Sequence, residues 1–163
     1  ASAQEDGVLQ HNIQGYSTTA NCDTLGLGLS AVSQIGELYY RNTHDLNAYQ
    51  KAADAQQPPP AFGLHCDTDM QIKRSVIQAL TCQFSVDFAS IEEQYSINFK
   101  DYFQPIWSQL ETMHSDGLLE LSNTAIHITP QGRLLTAAAC EVFTGTHIAQ
   151  PAAPQTALFS RAR

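Results

Sequence analysis

A glycine-rich run is the first feature of the sequence that could do chemistry. Residues 26–31 read G-L-G-L-S-A and match the dinucleotide-binding pattern G-x-G-x-x-A. That pattern binds a pyrophosphate only where a hydrophobic strand leads into the first glycine and a helix starts at the third position. The lead-in here, TTANCDT, is polar. Close packing of the glycines against neighbouring backbone is therefore the better interpretation.

Metal-binding and nucleophilic patterns are absent from the sequence. The six histidines are scattered, and no two of them have the i, i+4 spacing of a helical zinc pair. The four cysteines form no C-x-x-C or C-x-x-x-C pair, so no zinc or iron–sulfur ligand set is visible. We expect reduced, mostly buried thiols in a cytoplasmic protein. These cysteines are Cys22, Cys66, Cys82 and Cys140.

The composition excludes two classes of partner. A net charge of -8 gives no counterion release on a phosphate backbone, which disfavours nucleic acid. No apolar run is long enough to span a bilayer, and no basic amphipathic stretch suits an anionic membrane surface. The charged content of 15% is low, since about a quarter is usual, which indicates a surface covered by other protein.

The first half of the chain gives mixed signals about its secondary structure. Residues 25–36 are apolar and small, and such a short run fits either a buried strand or a tightly packed helix. The following HDLNAYQKAADA predicts a short helix with Asp45 as its N-cap. Three prolines at 58–60 forbid a helix, so residues 56–66 are predicted to be an extended linker and a candidate domain boundary.

The second half has the spacing of a helical domain. Thr68 and Gln71 form a capping-box signature, Ser90 predicts a second N-cap, and Thr129 with Pro130 predicts the start of a last helix. LLEL and IHIT around the turn SNTA predict a β-hairpin. Three helices, a hairpin and another helix make a winged-helix-like plan. The predicted core faces are Ile72, Val76, Ala79 and Leu80; Phe99, Tyr102, Phe103, Ile106, Trp107, Leu110 and Met113; and Leu134, Leu135, Ala138, Val142 and Phe143.

That plan raises DNA binding as a distant alternative. A winged helix reads the major groove with the helix before its wing. Here that helix offers Lys100 against Asp101, Glu111 and Asp116, and the rest of its surface is aromatic and apolar. The composition is typical of a packing helix.

Two long residue runs resemble the oxygen-independent coproporphyrinogen III oxidases (dehydrogenases), a radical-SAM family. Residues 12–18, N-I-Q-G-Y-S-T, are similar to the family core N-F-Q-G-Y-[TS]-T, and residues 25–33 are similar to L-G-x-G-x-S-[AS]-I-S. IKRSVIQALTCQFSVDFASIE, DGLLEL with IHITPQGRLL, and the closing FSR resemble the helical C-terminal domain. The resemblance covers essentially all 163 residues and corresponds to the C-terminal third of such an enzyme.

The resemblance implies a fold and a division into domains. The fold class is α+β and mostly helical. Residues 1–60 would be the end of a radical-SAM (β/α) barrel, with its last strand and helix, and residues 61–163 a winged-helix-like cover domain with one β-hairpin and a tail. Residues 25–36 would then be a late barrel strand, buried on both faces. Without the other strands, residues 1–60 should expose strand edges and an apolar face and be the less stable part.

The resemblance also implies binding residues. Gln14 would hydrogen-bond an S-adenosylmethionine, which Val32 would touch through its backbone and apolar side chain. Ile13 stands where the family usually has Phe, and Val32 where it usually has Ile. Arg161, in the C-terminal tail, would pair with substrate propionates, and a solvated tail is an equally good interpretation.

The function implied is radical chemistry in haem biosynthesis. Family members reduce S-adenosylmethionine at a [4Fe-4S] cluster, and the 5′-deoxyadenosyl radical attacks the propionates of coproporphyrinogen III. Two propionates become vinyls, giving protoporphyrinogen IX. The cluster motif C-x-x-x-C-x-x-C is missing from this chain, so we expect no catalytic residue in it and no activity from it alone.

The resemblance further implies a cytoplasmic, monomeric parent protein and does not identify its electron donor. Two alternatives without catalysis remain, a free-standing helical interaction module and a haem-chaperone relative.

Overall fold

The computed structural model describes residues 4, 8–12, 15–18, 22–59 and 61–145. They divide into two compact units. One, here called the sheet unit, lies within Asn21–Thr68; the other, the helical unit, combines the described residues of Ala1–Ala20 with those of Asp69–Ala149. The fold is α+β as expected, and helices make up about half of the described residues.

The elements follow one another in a mixed order. The strands are β1 (Gln10–Asn12), β2 (Gly15–Ser17), β3 (Val32–Ile35), β4 (Leu38–Asn42), β5 (Ala61–His65), β6 (Ser85–Asp87), β7 (Leu119–Leu121) and β8 (Ala125–Ile128). The helices are α1 (Leu46–Asp54), α2 (Thr68–Gln83), α3 (Phe88–Tyr95), α4 (Phe99–Tyr102), α5 (Trp107–Ser115) and α6 (Thr136–Thr144), with 3-10 turns at Gln104–Ile106 and Gly132–Leu135.

The sheet unit is an antiparallel sheet in the order β3-β4-β5, with α1 between β4 and β5. Asp45 caps α1 as predicted, because its carboxylate accepts from Asn47 N–H at 2.8 Å and from Ala48 N–H. Residues 32–35 form a strand, which decides between the two possibilities left open for 25–36.

One expectation for the sheet unit was wrong in detail. Half of the predicted linker over 56–66 is strand β5, because the prolines end at 60 and the N–H groups after them are free to pair with β4. Burial of β3 on both faces was expected for the complete barrel and stays a prediction; in this chain Ile35 is exposed and Val32 is half-buried. The exposed apolar side chains that the sequence predicted within residues 1–60 are present; they include Leu25, Leu27, Leu29 and Leu38.

The helical unit is built around a chain of aromatic rings. Phe88 stacks on Phe99 at 4.1 Å between centroids, Phe99 contacts Phe103 at 4.7 Å, and Phe103 meets Phe143 edge-on at 5.2 Å. All four rings are buried. Aromatic rings bury a large apolar area and pack in preferred geometries. These four rings therefore join α3, α4 and α6 in one core.

The apolar face predicted over residues 99–113 is present, but the segment forms two helices and not one continuous helix. Pro105 lies in the 3-10 turn that separates α4 from α5. Phe99, Phe103, Ile106 and Leu110 are fully buried, and the remaining predicted residues are partly buried against them. The apolar spacing therefore survives the break.

The hairpin is confirmed, and it gains a third strand that the sequence did not reveal. Strands β7 and β8 pair antiparallel, and β6 pairs with the other side of β8. The N-cap of α3 is Asp87 and not Ser90, because the Asp87 carboxylate accepts from Ser90 N–H at 3.0 Å. Three residues are too few for alternation to signal a strand, which explains why β6 was missed.

The last helix begins later than predicted, and this shifts its buried face. The Thr129 hydroxyl accepts from Gly132 N–H at 3.0 Å, where a 3-10 turn begins, and α6 starts only at Thr136. Leu134 is consequently 93% exposed, and Leu135 and Ala138 are also exposed. The residues that α6 buries are Ala139, Cys140 and Phe143, with Val142 partly buried.

No helix within the described residues has the length and apolar character needed to cross a membrane.

A first prediction concerns Gly132, which is buried beside the carbonyl of Leu118. A Cβ at this position would overlap that carbonyl, which already accepts the backbone N–H of Thr129 at 3.1 Å. We expect Gly132→Ala to lower the free energy of unfolding by about 1–3 kcal/mol. Gly145→Ala is the matched control, because a Cβ there meets no described atom within 4 Å. Urea denaturation that gave both variants equal stability would contradict this account.

A second prediction concerns thiol reactivity. Burial raises the pKa of the Cys82 and Cys140 thiols, and Cys66 is also buried, whereas Cys22 is exposed. Because the thiolate is the nucleophile, a buried thiol with a raised pKa reacts slowly at pH 8. Iodoacetamide should therefore modify Cys22 in the folded chain and reach the others only after denaturation. Peptide mass mapping would identify the labelled cysteines. Labelling of Cys140 in the folded chain would contradict this prediction.

Candidate functional site

The candidate site lies on one face of the β3-β4-β5 sheet. In an antiparallel ladder, directly paired residues and residues two apart point to the same side. Val32 pairs with Arg41, Arg41 with Phe62, and Tyr39 with Leu64. These five residues therefore share one face, which we call the pocket face.

A cavity of about 440 Å³ opens on this face. The pocket face lines it together with Tyr40, His44 and Gly63. Ligand sites commonly enclose roughly 300–1,000 Å³ and combine apolar or aromatic walls with a few polar groups. This cavity has that composition, with Arg41 and His44 as its basic side chains.

Arg41 stands out against the charge of its surroundings. Residues 21–68 contain two cationic side chains, Arg41 and Lys51, against five carboxylates. Within the described part of the chain, neither Arg41 nor His44 forms an ion pair. The guanidinium of this exposed, cavity-lining residue thus has N–H donors available to a ligand.

The opposite face of the sheet holds the glycine-rich run. Gly26 N–H donates to the Ser33 hydroxyl at 2.9 Å, and Gly28 N–H donates to the Tyr49 hydroxyl at 3.0 Å. The buried Asn42 amide donates to the carbonyl oxygens of Gly26 and Gly28 at 3.2 and 2.8 Å. These N–H groups are used inside the protein and do not point to a pyrophosphate.

The predicted close packing is confirmed for Gly26 and is wrong for Gly28. A Cβ on Gly26 would collide with the backbone of Val32. A Cβ on Gly28 would meet no described atom within 4 Å; this residue has a φ of +103°, a conformation that glycine adopts without strain. The resemblance to a dinucleotide fingerprint therefore has two separate causes, close backbone approach at Gly26 and backbone conformation at Gly28.

A second polar cluster lies in the helical unit and is internally satisfied. The Asp69 carboxylate accepts from Lys73 Nζ at 2.8 Å and from the Tyr102 hydroxyl. Lys73 is only 8% exposed, so this pairing offsets the cost of burying its charge. The Asp69 carboxylate therefore links α2 to α4 through Tyr102 and also pairs with the Lys73 ammonium.

The expected site residues are only partly visible. Val32 lines the cavity, half-buried. Ile13, Gln14 and Arg161 lie outside the described residues, so their convergence with Val32 stays a prediction. Among the described residues, no group of three or more His, Cys, Asp or Glu side chains could hold a metal ion.

Sequence reasoning missed Arg41, His44 and Phe62. The alternation of Arg41 with Tyr39 is readable in LYYRN, and that of Phe62 with Leu64 in AFGLH; His44 lies outside both strands. What the sequence does not contain is the register that places Arg41 between Val32 and Phe62.

Known proteins match this chain along most of its length. Residues 67–135 match the HemN C-terminal domain. An oxygen-independent coproporphyrinogen III oxidase of Pseudomonas aeruginosa is 48% identical over 143 residues, 88% of this chain and 31% of that protein. A relative of the same name from Escherichia coli is 39% identical over 155 residues, 95% of this chain and 34% of that protein.

A solved structure agrees with these relatives. Coproporphyrinogen III oxidase (HemN) from Escherichia coli, described as a radical SAM enzyme, superposes with a TM-score of 0.82 at 38% identity. The match covers 88% of this chain and 33% of that one. The chain thus spans about a third of the length of the proteins it matches. Residues 67–135 are thus similar to the HemN C-terminal domain, and the chain as a whole is similar to part of the oxygen-independent coproporphyrinogen III oxidases.

Proposed function

We propose that this chain is the C-terminal part of an oxygen-independent coproporphyrinogen III oxidase, and that its pocket face forms one wall of the active site. The observation that carries the proposal is the cavity on the pocket face. Val32, the described residue that the family resemblance assigns to S-adenosylmethionine, lines a space of about 440 Å³ with aromatic and apolar walls. The parent protein would be cytoplasmic and monomeric.

The proposed reaction is the oxidative decarboxylation of two propionates of coproporphyrinogen III to the vinyls of protoporphyrinogen IX. S-adenosylmethionine would supply the 5′-deoxyadenosyl radical, with a [4Fe-4S] cluster held by residues outside this chain. The sequence of this chain lacks the motif C-x-x-x-C-x-x-C, and its proposed contribution is binding and enclosure.

The pocket face suits that contribution. Val32, Phe62 and Leu64 line the cavity with apolar surface. In the closed active site of the parent protein this surface would keep water from reactive species. Gln14 would hydrogen-bond the S-adenosylmethionine, with Ile13 beside it in sequence, and Arg161 would pair with a propionate.

The proposed arrangement places residues 1–60 at the end of the (β/α) barrel and residues 61–163 in a cover domain. The exposed apolar residues within residues 1–60 support this, because Leu25 is 63% and Leu27 is 84% exposed. A surface of that kind is normally covered by protein or ligand. The β6-β8-β7 sheet, with β7 and β8 as its wing, supports a winged-helix-like cover.

A non-catalytic module, including a haem-chaperone relative, is the second candidate. The aromatic core of the helical unit favours it, because Phe99, Phe103 and Phe143 are fully buried without help from the sheet unit's residues. Such a unit could be reused for interaction alone.

A chimaeric enzyme separates these two functions. We would replace the matching third of the Pseudomonas aeruginosa relative with this chain and measure protoporphyrinogen IX formation anaerobically, with S-adenosylmethionine and reductant. The chimaera should be active and the 163-residue chain alone inactive. A folded, cluster-loaded chimaera without activity would favour the module, and activity of the chain alone would refute the proposed division of labour.

Val32 offers a sharper test in the same chimaera. Val32→Trp should fill part of the cavity and raise the KM for S-adenosylmethionine about tenfold or more, a change equivalent to at least ~1.4 kcal/mol of binding. Val32→Ile keeps a β-branched apolar side chain and should leave the KM within about twofold. Equal KM values for the two variants would contradict the proposal that Val32 contacts S-adenosylmethionine.

A further inference from the structure

An arginine without a counter-charge lies in the middle of the pocket face. Arg41 is flanked across the ladder by Val32 on β3 and by Phe62 on β5. Both neighbours are apolar and cannot accept a hydrogen bond from the guanidinium. Arg41 is exposed and lines the open cavity, where a ligand can reach it.

Three of the five carboxylates in residues 21–68 have partners other than Arg41. Asp23 accepts from Gly36 N–H at 2.8 Å, Asp45 caps α1, and Glu37 lies 3.2 Å from the His65 imidazole. Within the described residues, no carboxylate pairs with Arg41. In a chain with a net charge of -8, a cation kept apart in this way is available to a ligand.

The chemistry of the surrounding groups defines the ligand class. A guanidinium presents a planar fork of N–H donors that matches a carboxylate in bidentate geometry. The His44 imidazole, in the same cavity, can add a hydrogen bond. Phe62, Val32 and Leu64 offer apolar surface beside that fork. The cavity therefore suits a molecule with an apolar or flat body that ends in a carboxylate.

We propose that Arg41, with His44 beside it, binds a carboxylate of the molecule that occupies the pocket face. This inference rests on the proposed function for the identity of that molecule. Two molecules of the proposed reaction carry a carboxylate on such a body: the tetrapyrrole, through a propionate, and S-adenosylmethionine, through its amino-acid end. Both would use the same contact, and experiment can tell them apart.

Direct binding to the 163-residue chain is the first test. Equilibrium dialysis would use coproporphyrin III and S-adenosylmethionine as probes, with coproporphyrin tetramethyl ester and decarboxylated S-adenosylmethionine as controls without the relevant carboxylate. Arg41→Gln should weaken binding of one acid about tenfold and leave its control probe unchanged. Arg41→Lys keeps the positive charge and loses the planar fork of donors. Its affinity for that acid should lie between the affinities of the unaltered chain and of Arg41→Gln.

Lys51→Gln is the matched control variant. It removes the other cationic side chain of residues 21–68, which is exposed on α1 and does not line the cavity. Its binding should equal that of the unaltered chain. Because Arg41 is exposed, Arg41→Gln should also melt at an unchanged temperature, which separates lost binding from lost folding.

The pattern of losses identifies the molecule. Weaker binding of coproporphyrin III assigns the site to a propionate, and weaker binding of S-adenosylmethionine assigns it to the amino-acid carboxylate. The inference is overturned if the chain binds neither acid, if Arg41→Gln changes neither affinity, or if Lys51→Gln has the same effect. An inactive chimaera with Arg41-dependent binding intact would sink the proposed function alone.

Discussion

The register of the three-stranded sheet is the constraint on which the candidate site depends. Side chains alternate along a strand, so a slip by one residue would carry Arg41, Phe62 and Leu64 to the opposite face. Asn42 opposes such a slip, because its buried amide holds two carbonyls of the glycine-rich run while its own N–H donates to Ala31 O at 2.9 Å. The contacts of Asn42 with the glycine-rich run thus help to fix the register that places the residues of the pocket face.

Local chemistry made much of the fold predictable. The Asp45 cap, the β7-β8 hairpin and the apolar face of residues 99–113 each depend on neighbours in sequence, and each is present. Errors arose where a choice between near-equal local options is made by packing. Asp87 takes the cap that Ser90 could have filled, and the 3-10 turn after Thr129 delays α6 and rotates its buried face.

The site was less predictable than the fold, for a different physical reason. Val32 could be singled out because a run of residues resembles a family, but nothing local marks Arg41 as its neighbour. Their adjacency arises from pairing between strands, and strand β5 was itself hidden behind three prolines that read as a linker. Non-local pairing is the information that a single sequence carries least directly.

The two units differ in how far their charged groups are paired and their apolar side chains are buried. In the helical unit even the buried Lys73 has a partner, and the aromatic core is closed. In the sheet unit Arg41 lacks a partner among the described residues, and Leu27, Phe62 and Leu64 face outward.

That outward surface has a consequence for protein quality control in a cell. Extended strands with exposed Phe62 and Leu64 are the kind of surface that chaperones hold and that proteases act on when it stays uncovered. A cell would therefore sense whether this face has been covered without any dedicated sensor. Chains whose face is covered would persist, and the others would be removed.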